Sequence, residues 1–295
     1  MWVIVNEKNN KMGDHYIPKY YLKGFLTDPS SDLLFVYRKG DKTPFKSSIN
    51  NIAHQNDFYS REIESYLANE IEDPANQVLK KVREQKIITS DEKHCLAKYL
   101  MVLWKRVPLQ KDMIIEKMPE MMDSLISQYE TEFIELGQYH PHKKDIVERR
   151  ISELREFQEK NQNEDFSKEI WLGTLPIDKT TKPVDVFCKM TWRFLIPKNN
   201  ELFFLTCDNP LFFFPRMGIG KRKSEVSFPI NSRLALWATW RIDLQEGFYP
   251  CRSQIVKEIN RRTIFRAKDF IYSAYEKNWI QTLVNKEKLN INLIT

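Results

Sequence analysis

The chain has 295 residues, 42% of them hydrophobic, 29% charged and 13% aromatic, with 8 glycines and a formal net charge of +6. These proportions exclude a disordered, collagen-like or glycine-rich chain and supply enough apolar surface for a sizeable core. The positive charge is small for this length, so it is compatible with a nucleic-acid partner without indicating one.

Trp2–Val5 reads as a short strand followed by a polar linker. Pro18 suits the first turn of a helix, where its missing N–H costs nothing, and Tyr20, Tyr21, Leu22 and Phe25 would face the core. A turn at Asp28–Asp32 precedes a strand over Leu33–Tyr37, and Lys39–Lys42 reads as a hairpin turn. Ile49–Ala53 is expected to form one helical turn, and Phe58-Tyr59 a strand.

The middle is helical. Apolar residues from Ile63 to Val82 fall at helical spacing, with Pro74 interrupting or restarting the pattern. Thr89 and Glu92 form a capping-box signature for a helix that runs to Arg106 and breaks at Val107-Pro108. A second helix follows from about Leu109 to Leu136, in which Met113, Met118, Met121 and Met122 read as core filler. His140-Pro141-His142 is a turn, Lys143–Lys160 a charged and exposed helix, and Asn161–Asp165 the most loop-like stretch.

The last third is β-rich. Trp192–Ile196 and Leu202–Thr206 read as a hairpin about Lys198-Asn199-Asn200, and Val226–Ile230 and Leu234–Trp240 as a second hairpin about Asn231-Ser232-Arg233. Ser253 starts a basic amphipathic helix, and Phe270–Ala274 is a last strand. The fold class is therefore α+β: short N-terminal strands, a helical middle and a C-terminal antiparallel sheet. Cys95, Cys188, Cys207 and Cys251 are scattered, with no Cys-x-x-Cys pair, and read as lone buried thiols. No apolar run approaches the ~20 residues that span a bilayer, and Met1–Lys11 lacks the order of a signal peptide. A cytoplasmic protein with no membrane partner is expected.

His15-Tyr16-Ile17-Pro18-Lys19-Tyr20-Tyr21-Leu22-Lys23-Gly24-Phe25 resembles the opening His-Tyr-x-Pro-x-Phe-Tyr-Leu-x-x-Phe signature of the "domain of unknown function 4238" family. Val36-Tyr37, Asn51-Ile52-Ala53 with Phe58-Tyr59, Ile63-Glu64 with Ile71-Glu72, Arg106 with Pro108, and Thr206-Cys207-Asp208-Asn209-Pro210 are similar in order and spacing. Cys207 departs from the serine usual in the family. Phe228-Pro229-Ile230, Ile259-Asn260 and Phe270-Ile271-Tyr272 resemble its later motifs. The resemblance implies one α+β domain over residues 13–275, flanked by extensions at 1–12 and 276–295, in a microbial family with some members associated with phage defence. It implies no reaction.

Several residues have the chemistry for a site. His15, just outside a helix start, can act as a general base or metal ligand, or can simply anchor the helix. Asp208 and Asn209, at a strand end, can bind a metal, act as base and orient a substrate amide, or can form a turn. An acid buried among these apolar residues needs a partner, and Arg106 or His15 can supply it. Glu64 and Glu72 sit a little over two turns apart and, with Asp208 and His15, can hold a divalent cation for phosphodiester hydrolysis. Arg106 can clamp phosphate or cap its helix.

The basic loop Arg216–Ser224 lacks phosphate-loop spacing, but Lys221, Arg222 and Lys223 can grip an anionic backbone, aided by Arg252, Arg261, Arg262 and Arg266 if those share its face. There is no His-Glu-x-x-His, Gly-x-Ser-x-Gly, dinucleotide fingerprint or zinc-finger spacing. Three readings stay open. One is a hydrolase acting on nucleic acid or nucleotide, with His15, Asp208, Asn209 and Arg106 central and Glu64 and Glu72 supporting. The second is a non-catalytic sensor of nucleotide, nucleic acid or phage protein. The third is a buried polar network that fixes the fold.

Overall fold

The computed structural model describes residues 13–294 apart from positions 29, 57, 162, 176–180 and 216. The expected strand at Trp2–Val5 lies outside them. The chain divides into two compact units, one built from residues up to Val107 and from Pro176 onward, the other from Pro108–Leu175.

The first unit begins with β1 (Asp14–His15), α1 (Lys19–Leu22) and a 3₁₀ turn over Lys23–Phe25, then β2 (Leu33–Arg38), β3 (Phe45–Ser48) and β4 (His54–Gln55). It continues through α2 (Arg61–Tyr66), a π-helical segment (Leu67–Glu72), α3 (Asp73–Arg83) and α4 (Ser90–Lys105). The second unit is α5 (Pro108–Tyr139), a 3₁₀ turn (Pro141–Lys143), α6 (Lys144–Asn161) and α7 (Glu164–Gly173). The chain then returns with α8 (Lys182–Cys188), β5 (Thr191–Pro197), β6 (Thr206–Cys207), β7 (Phe212–Phe213), β8 (Glu225–Asn231), β9 (Leu234–Thr239), β10 (Gly247–Cys251), α9 (Ser253–Arg266), β11 (Phe270–Ser273) and α10 (Asn278–Val284).

The described strands form three sheets, making the fold α+β. β1 pairs with β4; a four-stranded antiparallel sheet has the order β3-β2-β11-β6; and a five-stranded sheet from the last third has the order β10-β5-β9-β8-β7. Its pairs are antiparallel except β10 with β5. β8 and β9 are buried on both faces, which accounts for their nearly continuous apolar composition.

Local chemistry explains many of the boundaries. Tyr21, Leu22 and Phe25 are fully buried behind Pro18, while Tyr20 lies under the Arg83 guanidinium at 5.0 Å. Gly24 tolerates no side chain: a Cβ there would stand 2.7 Å from Arg83 Nη2 and 2.9 Å from the Ile230 carbonyl. The Thr89–Glu92 capping box forms in both directions, and Arg106 is the C-cap of α4. Pro74 does not break the helix from Arg61 to Arg83. Having no N–H to offer, it follows a register change in which the Asp73 N–H reaches five residues back to the Ala68 carbonyl.

Several expectations are corrected. Ile49–Ala53 is not a helical turn but an irregular one, with Ala53 in the left-handed region at φ 53°. There its carbonyl accepts the N–H groups of Tyr16 and Ile17. Phe58-Tyr59 is not a strand, although both rings are buried. Leu202–Thr206 does not form a hairpin with β5. Arg233 gathers the carbonyls of Pro197, Asn199, Asn200 and Leu202 around its guanidinium. The next residues use a side chain in place of a ladder: Asn260 accepts from Leu205 N and donates to the Phe203 carbonyl, both at 2.9 Å.

In the second unit, Met122, Ile126, Trp171 and Leu175 are buried, whereas Met113 and Met121 are exposed and so are not core filler. α6 is charged and exposed as expected. α7 begins where a loop was expected, because the Asn163 side chain caps it by accepting the Phe166 N–H at 2.8 Å. Among the described residues no helix is long and apolar enough to cross a membrane. All four cysteines are free; Cys207 and Cys251 are buried, but Cys95 and Cys188 only partly so.

Candidate functional site

Arg106 stands at the centre of a polar cluster in the first unit. It is 1% exposed, held there by the break before Pro108. Its Nη1 donates to Glu72 Oε1 at 2.6 Å and its Nε to the Tyr16 carbonyl at 3.0 Å, while its own carbonyl accepts from the Tyr59 hydroxyl at 3.1 Å. Tyr59 is tied in turn to β1, its N–H donating to Asp14 Oδ2 at 3.0 Å. Burial works against the guanidinium charge, but Glu72, Tyr59 and Tyr99 outweigh it and keep Arg106 firmly protonated.

Glu64 and Glu72 both act on this arginine. Glu64 lies in α2, before the π-helical segment, and Glu72 is that segment's last residue; its extra residue per turn changes which side chains share a face. Glu72 keeps 21% side-chain exposure, so the carboxylate side of the pair meets solvent. Burial raises the Glu64 carboxyl above the usual range, Arg106 opposes this, and Asp14 and Glu72 add to the rise. Glu64 Oε2, Arg106 Nη2 and the Tyr99 hydroxyl are buried without a hydrogen-bond partner. Unpaired buried polar atoms are uncommon and mark either a site for a bound group or stored strain.

His15 lies beside this cluster in sequence but makes other contacts. Its Nε2 is 3.3 Å from the Ile49 carbonyl, and its ring centroid is 5.4 Å from that of His54, its cross-strand neighbour. Burial, then Lys19 and His54, lower its pKa from 6.5 to about 4, leaving the imidazole neutral at pH 7.

Asp208 and Asn209 occupy a different position. Asp208 Oδ1 accepts the N–H of Lys268 at 2.8 Å, and Oδ2 those of Asp269 and Phe270 at 2.7 and 2.9 Å. These backbone donors are the partners of the buried acid, in place of the expected Arg106 or His15. Burial raises the carboxyl to about 6, with the three N–H donors pulling against it. Asn209 donates from Nδ2 to the Arg266 carbonyl at 3.2 Å, and its Oδ1 is buried without a partner. Cys207 Sγ accepts the Asn209 N–H at 3.4 Å. Tyr16 reaches both regions. Its carbonyl holds Arg106, its hydroxyl bonds that of Tyr272, and Asp208 lies within electrostatic reach.

Thus Arg106, Glu64 and Glu72 come together, and Asp208 does not join them. Among the described residues no group of three or more His, Cys, Asp or Glu side chains is placed to hold a metal ion. Lys221, Arg222 and Lys223 are exposed. Arg262 does not add to a basic surface: it is fully buried, 2.5 Å from Glu225, with its guanidinium over Phe212 and Phe214. Sequence reasoning missed Asp14, Tyr16, Tyr59 and Tyr99 as members of the cluster. For Asp14, a signal existed in its place directly before His15; the tyrosines read as core.

Comparison with curated proteins finds no match, and comparison with solved structures finds none. A family model described as "Protein of unknown function (DUF4238)" matches residues 14–277, a span that holds every residue of the Arg106 cluster and the Asp208 turn. The chain belongs to that family.

Proposed function

We propose that the Arg106–Glu64–Glu72 cluster is the reactive centre of a hydrolase acting on nucleotide or nucleic acid. The observation that carries this reading is the pair of unpartnered buried atoms, Glu64 Oε2 and Arg106 Nη2, within one electrostatically coupled cluster. A carboxyl raised by burial exchanges protons nearer neutrality, and an arginine fixed by Glu72 and the Tyr16 carbonyl has one nitrogen left to bind a phosphoryl oxygen. In the reaction proposed, water adds to phosphorus and the bond to the leaving oxygen breaks. Glu64 takes the proton from water and delivers it to that oxygen. Glu72 keeps the guanidinium oriented. The cellular role we assign is phage defence, on the family resemblance.

The test is hydrolysis of nucleotides and of single- and double-stranded oligonucleotides, with and without magnesium. Turnover by the wild type and a loss of roughly 10²-fold in Glu64→Gln, with an unchanged melting temperature, is expected. No turnover of any substrate, together with unaltered phage plating by Glu64→Gln, overturns the reading.

A second reading, a non-catalytic sensor, is favoured by the exposed Lys221, Arg222 and Lys223, which form no ion pair among the described residues. It is distinguished by oligonucleotide binding that weakens steeply with salt and no turnover.

A further inference from the structure

A second candidate site lies in the first unit, between α9, α10 and the turn before β6, and shares no residue with the Arg106 cluster. It is a cleft of about 520 Å³, within the range of small-molecule sites. Its floor is apolar: Leu202, Phe203, Val256 and Leu283. Trp279 forms one wall, 42% exposed, with its ring centroid 5.8 Å from that of Phe203.

The rim is cationic. Lys257 and Arg261 stand one turn apart on α9, Lys286 follows α10, and among the described residues Glu201 is the one carboxylate lining the cleft. Arg261 is already engaged by Glu258 at 2.9 Å. Lys257 and Lys286 form no ion pair among the described residues and are exposed. Asn260 is poorly placed to read a ligand, because it is 3% exposed and each end of its amide is already bonded to the backbone, at Phe203 and Leu205.

We propose that this cleft binds a nucleoside phosphate. The apolar floor and the exposed indole suit a flat aromatic body, stacked rather than hydrogen-bonded. The two unpaired ammonium groups suit phosphate oxygens, with the Arg261 fork beside them. Other apolar ligands would leave this rim charge unused, and inorganic phosphate would leave the floor and Trp279 uncovered. Since Asn260 is consumed, the bases are distinguished weakly: ATP and GTP bind alike. The proposal does not rest on hydrolysis at Arg106, and its variants leave that cluster untouched.

The experiment is calorimetric titration of the full chain with ATP, GTP, adenosine and inorganic pyrophosphate at low and high salt. ATP and GTP are expected to bind within a few-fold of each other, and adenosine and pyrophosphate at least about tenfold more weakly. Trp279→Ala, and Lys257→Ala combined with Lys286→Ala, are each expected to weaken ATP by about tenfold or more; the lysine variant keeps the wild-type melting temperature, its side chains being exposed, and Trp279→Ala stays folded while losing the contact with Phe203. Raised salt weakens ATP and leaves adenosine unaffected. No saturable binding of ATP at millimolar concentration, equal affinity for adenosine and ATP, or ATP binding unmoved by these folded variants overturns the proposal.

Discussion

Arg106 and Glu72 meet at 2.6 Å, one from the cap that ends α4 and the other from the last residue of the π-helical segment. The arginine is almost fully buried, and its partner keeps a solvent-facing edge. Removing the arginine strands the Glu72 charge and the Tyr16 carbonyl together. Arg106→Ala is therefore expected to cost on the order of 3–5 kcal/mol in urea unfolding. A double-mutant cycle with Glu72→Gln should recover a coupling energy of about 1 kcal/mol or more. A variant as stable as the wild type would show that the pair does not hold α4 to the π-helical segment.

Glu64 should behave in the opposite way. Its carboxyl is half-buried, has one unpartnered oxygen, and feels the negative charges of Asp14 and Glu72. Glu64→Gln is expected to leave thermal stability unchanged or to raise it by up to about 1 kcal/mol. The folded-state pKa is raised, so the stability linked to the protonated acid is lost as pH rises through it. The advantage of the glutamine variant should therefore grow above about pH 4.3, the ordinary glutamate value. A drop in stability in Glu64→Gln at pH 7 would assign Glu64 a structural role.

Asp208 carries no such latitude. Three backbone N–H groups at the start of β11 end on its carboxylate. Asp208→Ala removes the acceptor from all three amides, which lie in a part-buried turn, with an expected loss on the order of 1–3 kcal/mol. Hydrogen exchange should locate the damage, with protection lost first at Lys268, Asp269 and Phe270. Retained protection at these amides would contradict the assignment.

His15 gives the clearest pH dependence. Its folded pKa is depressed from 6.5 to about 4, chiefly by burial, so the unfolded chain binds the proton first as pH falls. Stability linked to His15 is fully present above about 6.5 and is lost as pH falls toward 4. His15→Gln should flatten the stability profile across that window. Parallel profiles for variant and wild type would show that the imidazole is not held neutral by the fold.

The legible part of the protein was the part decided locally. Thr89 with Glu92, Pro18, and the break at Val107-Pro108 mark their helix boundaries through hydrogen bonds or missing donors within a few residues, and these stand in the structure where the sequence predicts them. The Asn231–Arg233 turn is equally local: Asn231 Oδ1 accepts the Arg233 N–H at 2.7 Å. Candidate site residues were also visible, since acids and a histidine beside apolar runs stand out by composition.

What the chain could not reveal was where each polar group finds its partner. Pairing across long stretches of sequence depends on side chains that compete for the same backbone. Asn260 takes the backbone at Phe203 and Leu205 out of a hairpin, and Arg233 folds the preceding carbonyls into a turn. The same competition gives Asp208 to the amides before β11, leaves Arg106 to Glu72 and buries Arg262 against Glu225. A buried charge must be paired, but composition does not say by what; only the tertiary structure decides, because the low-dielectric interior rewards whichever donor the fold brings within reach.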